Sequence, residues 1–154
     1  MSHATVFVEA CVMQFATFYV SDSLYGVMVD HVHEITRLLP VTPVPLAPSF
    51  VHGLINLRGT IVTAVHMRSL FSLPQEDQSS DQQMTVICKI DSILVALLVD
   101  AIGDVMTIDE GAFESVPVTM RDAEYVKHVC QLPHSLLGIL DIEKIATVIQ
   151  KINH

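Results

Sequence analysis

Apolar residues along this chain come in short bursts broken by pairs of polar ones, a strand-and-turn pattern. Val12 to Val20 and Leu24 to Val29 place β-branched and aromatic residues on either side of Ser21, Asp22 and Ser23, which predicts a hairpin. The same signature returns in Met84 to Ile90 and Ile93 to Val99, around an Asp91, Ser92 turn. Two further strands are expected at Leu54 to Leu57 and Ile61 to Val65. Pro40, Pro43, Pro45 and Pro48 exclude a long helix or a central strand, so an extended connection is expected there, with at most one helical turn near Pro48 to Val51. Pro74 to Gln83 lacks apolar periodicity and reads as an exposed loop, and Gly111 to Thr119 as a connection. Helical spacing is clear near the C-terminus, where Ile142, Ile145, Ala146 and Ile149 form one stripe.

The bursts repeat. Val27 to Ile35 aligns without a gap to Leu97 to Val105, pairing Val29 with Val99, Asp30 with Asp100, Val32 with Ile102 and Glu34 with Asp104. A second alignment pairs Leu57, Ile61, Val62, Val65, Met67 and Leu70 with Leu132, Leu136, Leu137, Leu140, Ile142 and Ile145. The chain thus reads as one domain over residues 12–150, built from two copies of a strand-rich unit near 25–72 and 95–149, each ending in a helix. Asp141 can cap the second helix, a contribution of about 1 kcal/mol. His66 holds the equivalent place before the first, and histidine caps poorly, so Met67 to about Ser72 should fray. Two small barrels from such a duplication would expose a groove between them, and grooves of that kind bind partners more often than they catalyse.

Composition narrows the function. In 154 residues, half of them apolar, seventeen Asp and Glu face eight Lys and Arg, a formal charge of −9. That balance repels phosphate backbones and anionic lipid, so no nucleic-acid partner and no direct membrane insertion is expected. The longest apolar run, Ile93 to Val99, stops at Asp100, too short to span a bilayer, and the N-terminus lacks a signal-peptide pattern, so a cytoplasmic protein is expected. A positive mean hydropathy in such a chain points to a double core or to exposed apolar patches used for binding. Cys11, Cys88 and Cys130 are odd in number and without CxxC spacing, which leaves them as small core hydrophobes.

Chemistry is concentrated in Gly53 to Phe71, where Asn56, Arg58 and Gly59 interrupt an otherwise apolar run. A guanidinium carries too many donors to sit unpaired in a core, so Arg58 must meet a carboxylate or face a partner. Gly59 can take a positive φ, and Asn56 can bond nearby backbone. Glu34 is the acceptor expected for Arg58. His31 and His33 would share a face if they lay in one strand and could ligate a metal, yet no third ligand stands at useful spacing. The repeated Asp30 and Asp100 could be a carboxylate pair for acid–base work, but their repetition favours a common turn after a strand. No metal and no cofactor is expected, and no GxSxG, P-loop or HExxH pattern supports catalysis. A small metal-dependent enzyme using His31 and His33 is the rival from another class.

The chain resembles the CheW family, coupling proteins of bacterial chemosensory arrays, over about Val12 to Ile149. The motifs are Tyr25 to Ile35 (YGVMVDHVHEI), the Pro-rich link ending in Pro48, Ser49 and Phe50, then Gly53 to Gly59 (GLINLRG), Leu97 to Asp100 (LLVD) and Leu140 to Ile145 (LDIEKI). The resemblance implies a mainly β fold of two intertwined five-stranded SH3-like barrels, with short helices and a C-terminal helix. It also implies a non-enzymatic adaptor between a chemoreceptor cytoplasmic tip and the regulatory domain of a CheA-type histidine kinase, with other CheW-like domains as further partners and recruitment to receptor arrays. By position, Val32, Glu34, Gly53, Asn56, Arg58 and Gly59 would face the receptor, and Val86, Ile102 and Val105 the kinase. Thr63, His66 and His128 depart from the family pattern, which leaves open a coupling protein of another chemosensory system, such as pilus motility. No receiver or kinase module is expected.

Overall fold

The first expected hairpin is present. Strand β1 (Val12–Val20) pairs antiparallel with β2 (Ser23–Met28) around Ser21, which adopts φ 57°, and Asp22. A computed structural model describes residues 12–73, 83–120 and 123–152; the expected loop at Pro74 to Gln83 lies outside them except for Gln83, as does Cys11. After β2 a single 3-10 turn, Val29–His31, leads into β3 (Val32–Arg37). The Pro-rich link follows, and its turn at Pro48 to Val51 is closed by the Val51 amide on the Pro48 carbonyl at 3.0 Å. Next come β4 (Val51–Leu57), β5 (Thr60–His66) and the short helix α1 (Met67–Leu70). The second hairpin, β6 (Met84–Ile90) and β7 (Ile93–Val99), has the bounds expected from its pattern. Then follow β8 (Ala101–Asp109), β9 (Phe113–Glu114), β10 (Val126–Gln131), β11 (Leu136–Leu140) and α2 (Ile142–Ile152).

These strands form two sheets, ordered β8-β1-β2-β11-β10-β9 and β3-β6-β7-β5-β4. The fold is mainly β with intertwined SH3-like barrels, as expected. One sheet has six strands rather than five, because the connection after β8 adds the two-residue β9 at its edge. The duplication extends to register. Thr63 lies opposite Val95 in the parallel pair β5–β7, and Gly138 opposite Tyr25 in β11–β2, positions that the repeat makes equivalent. Bulges coincide too, at Val51/Gly53 in β4 and Val126/His128 in β10. The repeat copies and the sheets nevertheless do not coincide. The second sheet is drawn from Val32 to Val99, the first from the segments on either side, and the chain crosses between them at Val29–His31 and at Asp100.

Burial follows this exchange. The largest core cluster draws Phe18, Val20 and Val27 from one sheet and Val86, Cys88 and Leu97 from the other, with the α2 stripe Ile142, Ile145, Ala146 and Ile149 packed among them. Each such aliphatic side chain contributes about 1.5–3 kcal/mol on burial. A smaller cluster sits within each barrel, around Phe15 and Leu137 in one and Ile55 and Ile87 in the other. The expected double core is therefore two cores and a shared third. Burial pushes the Cys88 thiol up to about 12 and raises that of Cys130, in keeping with cysteines that serve as core hydrophobes.

Helix capping separates the two copies as expected. The Asp141 carboxylate accepts the Lys144 amide at 3.1 Å, and α2 runs 11 residues. His66 gives α1 no side-chain cap, and that helix ends after 4 residues.

Candidate interaction surfaces

The polar cluster at Asn56 to Gly59 is the tip of the β4–β5 hairpin. Leu57 pairs with Thr60, leaving Arg58 and Gly59 as a two-residue loop with φ of 52° and 91°. Two successive positive φ values define a type I′ turn, whose twist matches the strands it joins. A Cβ on Gly59 would meet nothing within 4 Å, so glycine is required there by conformation and not by space. The Asn56 side-chain oxygen accepts the Gly59 amide at 2.8 Å and fixes the tip.

Arg58 donates to both carboxylate oxygens of Glu34, Nη1 to Oε1 at 2.5 Å and Nη2 to Oε2 at 3.1 Å. The expected pair is thus formed, in the two-pronged geometry that guanidinium suits. Glu34 belongs to β3 and Arg58 to the end of β4, the two opposite edges of one sheet, so the pair clasps that barrel shut. The side chain of Arg58 is 71% exposed, so the pair is a surface clasp and not a core feature. These hydrogen bonds hold the Glu34 carboxyl below the ordinary carboxylate range and raise the guanidinium further.

A groove of about 340 Å³ is lined by Ile35, Met84, Ala101 and Ile102, so that β3 and β6 of one barrel face β8 of the other; Ile35 alternates with Glu34 along β3 and points to the other face of that strand. Ile35, Ile102 and Val105 are exposed, at 39, 37 and 61%. Ile35 and Val105 are equivalent in the repeat, and each follows an acidic residue, Glu34 or Asp104. Sequence reasoning missed Ile35, Met84 and Ala101. The alternation of Glu34 and Ile35 in a strand carried the signal for Ile35.

Other assigned positions fall elsewhere. Val86 is 0% exposed within the shared core, so its expected direct contact with a kinase is corrected: its side chain packs the core and offers a partner nothing. Gly53 is buried, with φ 151°; a Cβ there would lie 2.3 Å from Val41 and 2.6 Å from the Thr42 carbonyl oxygen. It permits the close bridge between Thr42 and Leu54, whose amides and carbonyls exchange bonds of 2.8 Å. Val32 is half-buried against the shared core.

His31 sits in the 3-10 turn and His33 in the bulge between Val32 and Glu34, so the two do not share a strand face. Among the described residues no group of three His, Cys, Asp or Glu is placed to hold a metal. The histidines that do meet are His52 and His66, ring centroids 5.9 Å apart across the β4–β5 pair. Partial burial lowers both imidazole pKa values, and His52 lowers that of His66 further. Asp30 and Asp100 mark the two crossings between sheets, as a shared turn predicts. Asp100 is tied to Arg68 at 2.9 Å and to the Ser21 amide at 2.6 Å, an anchor within the fold. Of the departures, Thr63 is 7% exposed in β5 and His128 stacks on Phe113 at 5.3 Å.

Two duplicated barrels around a shared core, with a clasped hairpin tip and an apolar groove between the barrels, define a module that works by making contacts. The chain belongs to the CheW-like domain family, whose model matches residues 14–150. It is 31% identical over 137 residues to the chemotaxis protein CheW of Treponema pallidum, covering 86% of this chain and 81% of that one. It is 30% identical over 141 residues to the same-named protein of Klebsiella aerogenes, with 89% and 83% covered. Among solved structures, the scaffolding protein TtCheW of Thermoanaerobacter tengcongensis superposes with a TM-score of 0.78 at 28% identity, covering 84% of this chain and 88% of that one. No helix among the described residues is long and apolar enough to cross a membrane.

Proposed function

We propose that the chain is a non-enzymatic adaptor of chemosensory signalling, which holds a CheA-type histidine kinase by its regulatory domain against a chemoreceptor cytoplasmic tip. The observation that carries this reading is the apolar groove of Ile35, Met84, Ala101 and Ile102 where the two barrels face each other. An apolar trough suits a partner helix that buries an apolar stripe, and the exposed Glu34–Arg58 clasp offers a separate, geometrically fixed polar contact. The receptor surface comprises Val32, Glu34, Asn56, Arg58 and Gly59, with Gly53 supporting it from behind. Ile102 and Val105 serve the kinase contact.

The mechanism is geometric. A change in receptor packing alters how the groove is filled, and the barrels pass that change to the kinase. Each contact is small, and a two-barrel module reaches useful strength by engaging both partners at once in a membrane-associated array on the cytoplasmic side. The test is reconstitution of receptor signalling domain, kinase and this protein on vesicles. Kinase autophosphorylation that rises only when all three are present is expected; a rate indifferent to this protein overturns the reading.

A further inference from the structure

The two halves match in register but differ in charge at the second residue of their helices, among other positions. Arg68 is the second residue of α1, and Glu143 is the second residue of α2. Arg68 turns inward with its side chain 10% exposed and its guanidinium on Asp100. Glu143, its counterpart in the repeat, is exposed and lines a pocket of about 180 Å³. Phe15, Phe113 and His128 wall that pocket, Phe113 stacked parallel on His128 at 5.3 Å and edge-on to Phe15 at 5.7 Å. Met13 and Met28 supply adaptable apolar lining. Glu110, Asp141 and Glu143 bring carboxylates to the lining against the ammonium of Lys127, with His31 and His128 beside them, and Asp141 also accepts the Lys144 amide through Oδ1.

We propose that this pocket receives an arginine side chain from a partner protein, held between its aromatic walls and its carboxylates. A guanidinium is planar and weakly hydrated, stacks on aromatic faces and pairs with carboxylates, and its three-carbon stem suits methionine walls. A lysine ammonium meets the charge but not the stacking. A neutral apolar side chain meets the walls but leaves the carboxylates unanswered. The volume is that of a single large side chain, so the pocket anchors one residue of an interface. This inference rests on the lining of the pocket and stands whether or not the coupling reading holds.

The test uses the isotope-labelled full chain titrated with N-acetyl-arginine amide, with the neutral isostere N-acetyl-citrulline amide as control. Saturable amide shifts at Phe113, His128 and Glu143 are expected with arginine, and at least tenfold weaker binding with citrulline. Glu143→Arg, which places a cation in the lining, should abolish the shifts. Glu143→Gln, a milder change on an exposed helix position, should weaken them several-fold while leaving the spectrum folded. Equal binding of citrulline, shifts scattered away from these residues, or unaltered binding in Glu143→Gln overturns the proposal.

Discussion

Arg68 and Asp100 are 32 positions apart in sequence and 2.9 Å apart in space, and that contact ties the end of one repeat copy to the crossing in the other. The same Asp100 oxygen accepts the Ser21 amide, so one carboxylate joins α1, the β7–β8 crossing and the β1–β2 turn. Both side chains are largely withdrawn from water, at 10 and 22% exposure.

Asp100→Ala should therefore destabilise the protein by about 2–3 kcal/mol, because it removes the carboxylate that a mostly buried guanidinium and the Ser21 amide share. Urea unfolding followed by circular dichroism checks this. A shift below about 0.5 kcal/mol would mean that Arg68 finds other support.

Arg58→Ala should leave the unfolding midpoint nearly unchanged, since the clasp is solvent-screened, yet reduce kinase stimulation in the reconstituted assay. Exchanging the partners, Glu34→Arg with Arg58→Glu, separates two roles. Recovered stimulation assigns the clasp to positioning the hairpin tip; continued loss assigns the guanidinium to direct receptor contact.

Gly53→Ala should destabilise by about 2–4 kcal/mol or prevent folding, because the added methyl collides with backbone that has little room to yield. Gly59→Ala should be milder, as its Cβ meets open space and only the positive φ is penalised. The difference between the two denaturation midpoints is the measurement.

His52 and His66 predict a pH dependence. Their folded pKa values lie below the ordinary 6.5, so as pH falls through that value the unfolded chain takes up protons first. Stability is full above pH 6.5, declines as pH drops from there towards the folded values, and levels off below them. Replacing both with glutamine should flatten the slope between pH 7 and pH 5 in a series of unfolding midpoints. An unchanged slope would place the titration elsewhere.

Much of this architecture is legible without coordinates. Two polar residues at Asp91 and Ser92 between apolar runs specify a hairpin, and β6 and β7 end where that pattern says. Asp141 against His66 foretells which helix is long. The pairing of Glu34 with Arg58 follows from the need of an exposed-or-paired guanidinium. The exchange of strands is not legible, because local periodicity says which face of a strand is apolar and not which sheet it joins. β3 and β8 escape for a related reason: each lines the groove, so exposed Ile35, Ile102 and Val105 blur the alternation that a half-buried strand shows. Val86 offers no side chain to a partner because β6 is covered on both faces, Thr85, Ile87 and Cys88 being as buried as Val86, and a position in a motif does not reveal that double cover.

The chain passes between its barrels at Val29–His31 and again at Asp100, and nowhere else among the described residues. Two links define an axis, as two pins define a door. Rotation about that axis would spare the links but not the Phe18, Val86 and Leu97 packing that both barrels share. The barrels are therefore joined twice over, by chain and by core, which fixes the spacing between a contact made on one and a contact made on the other.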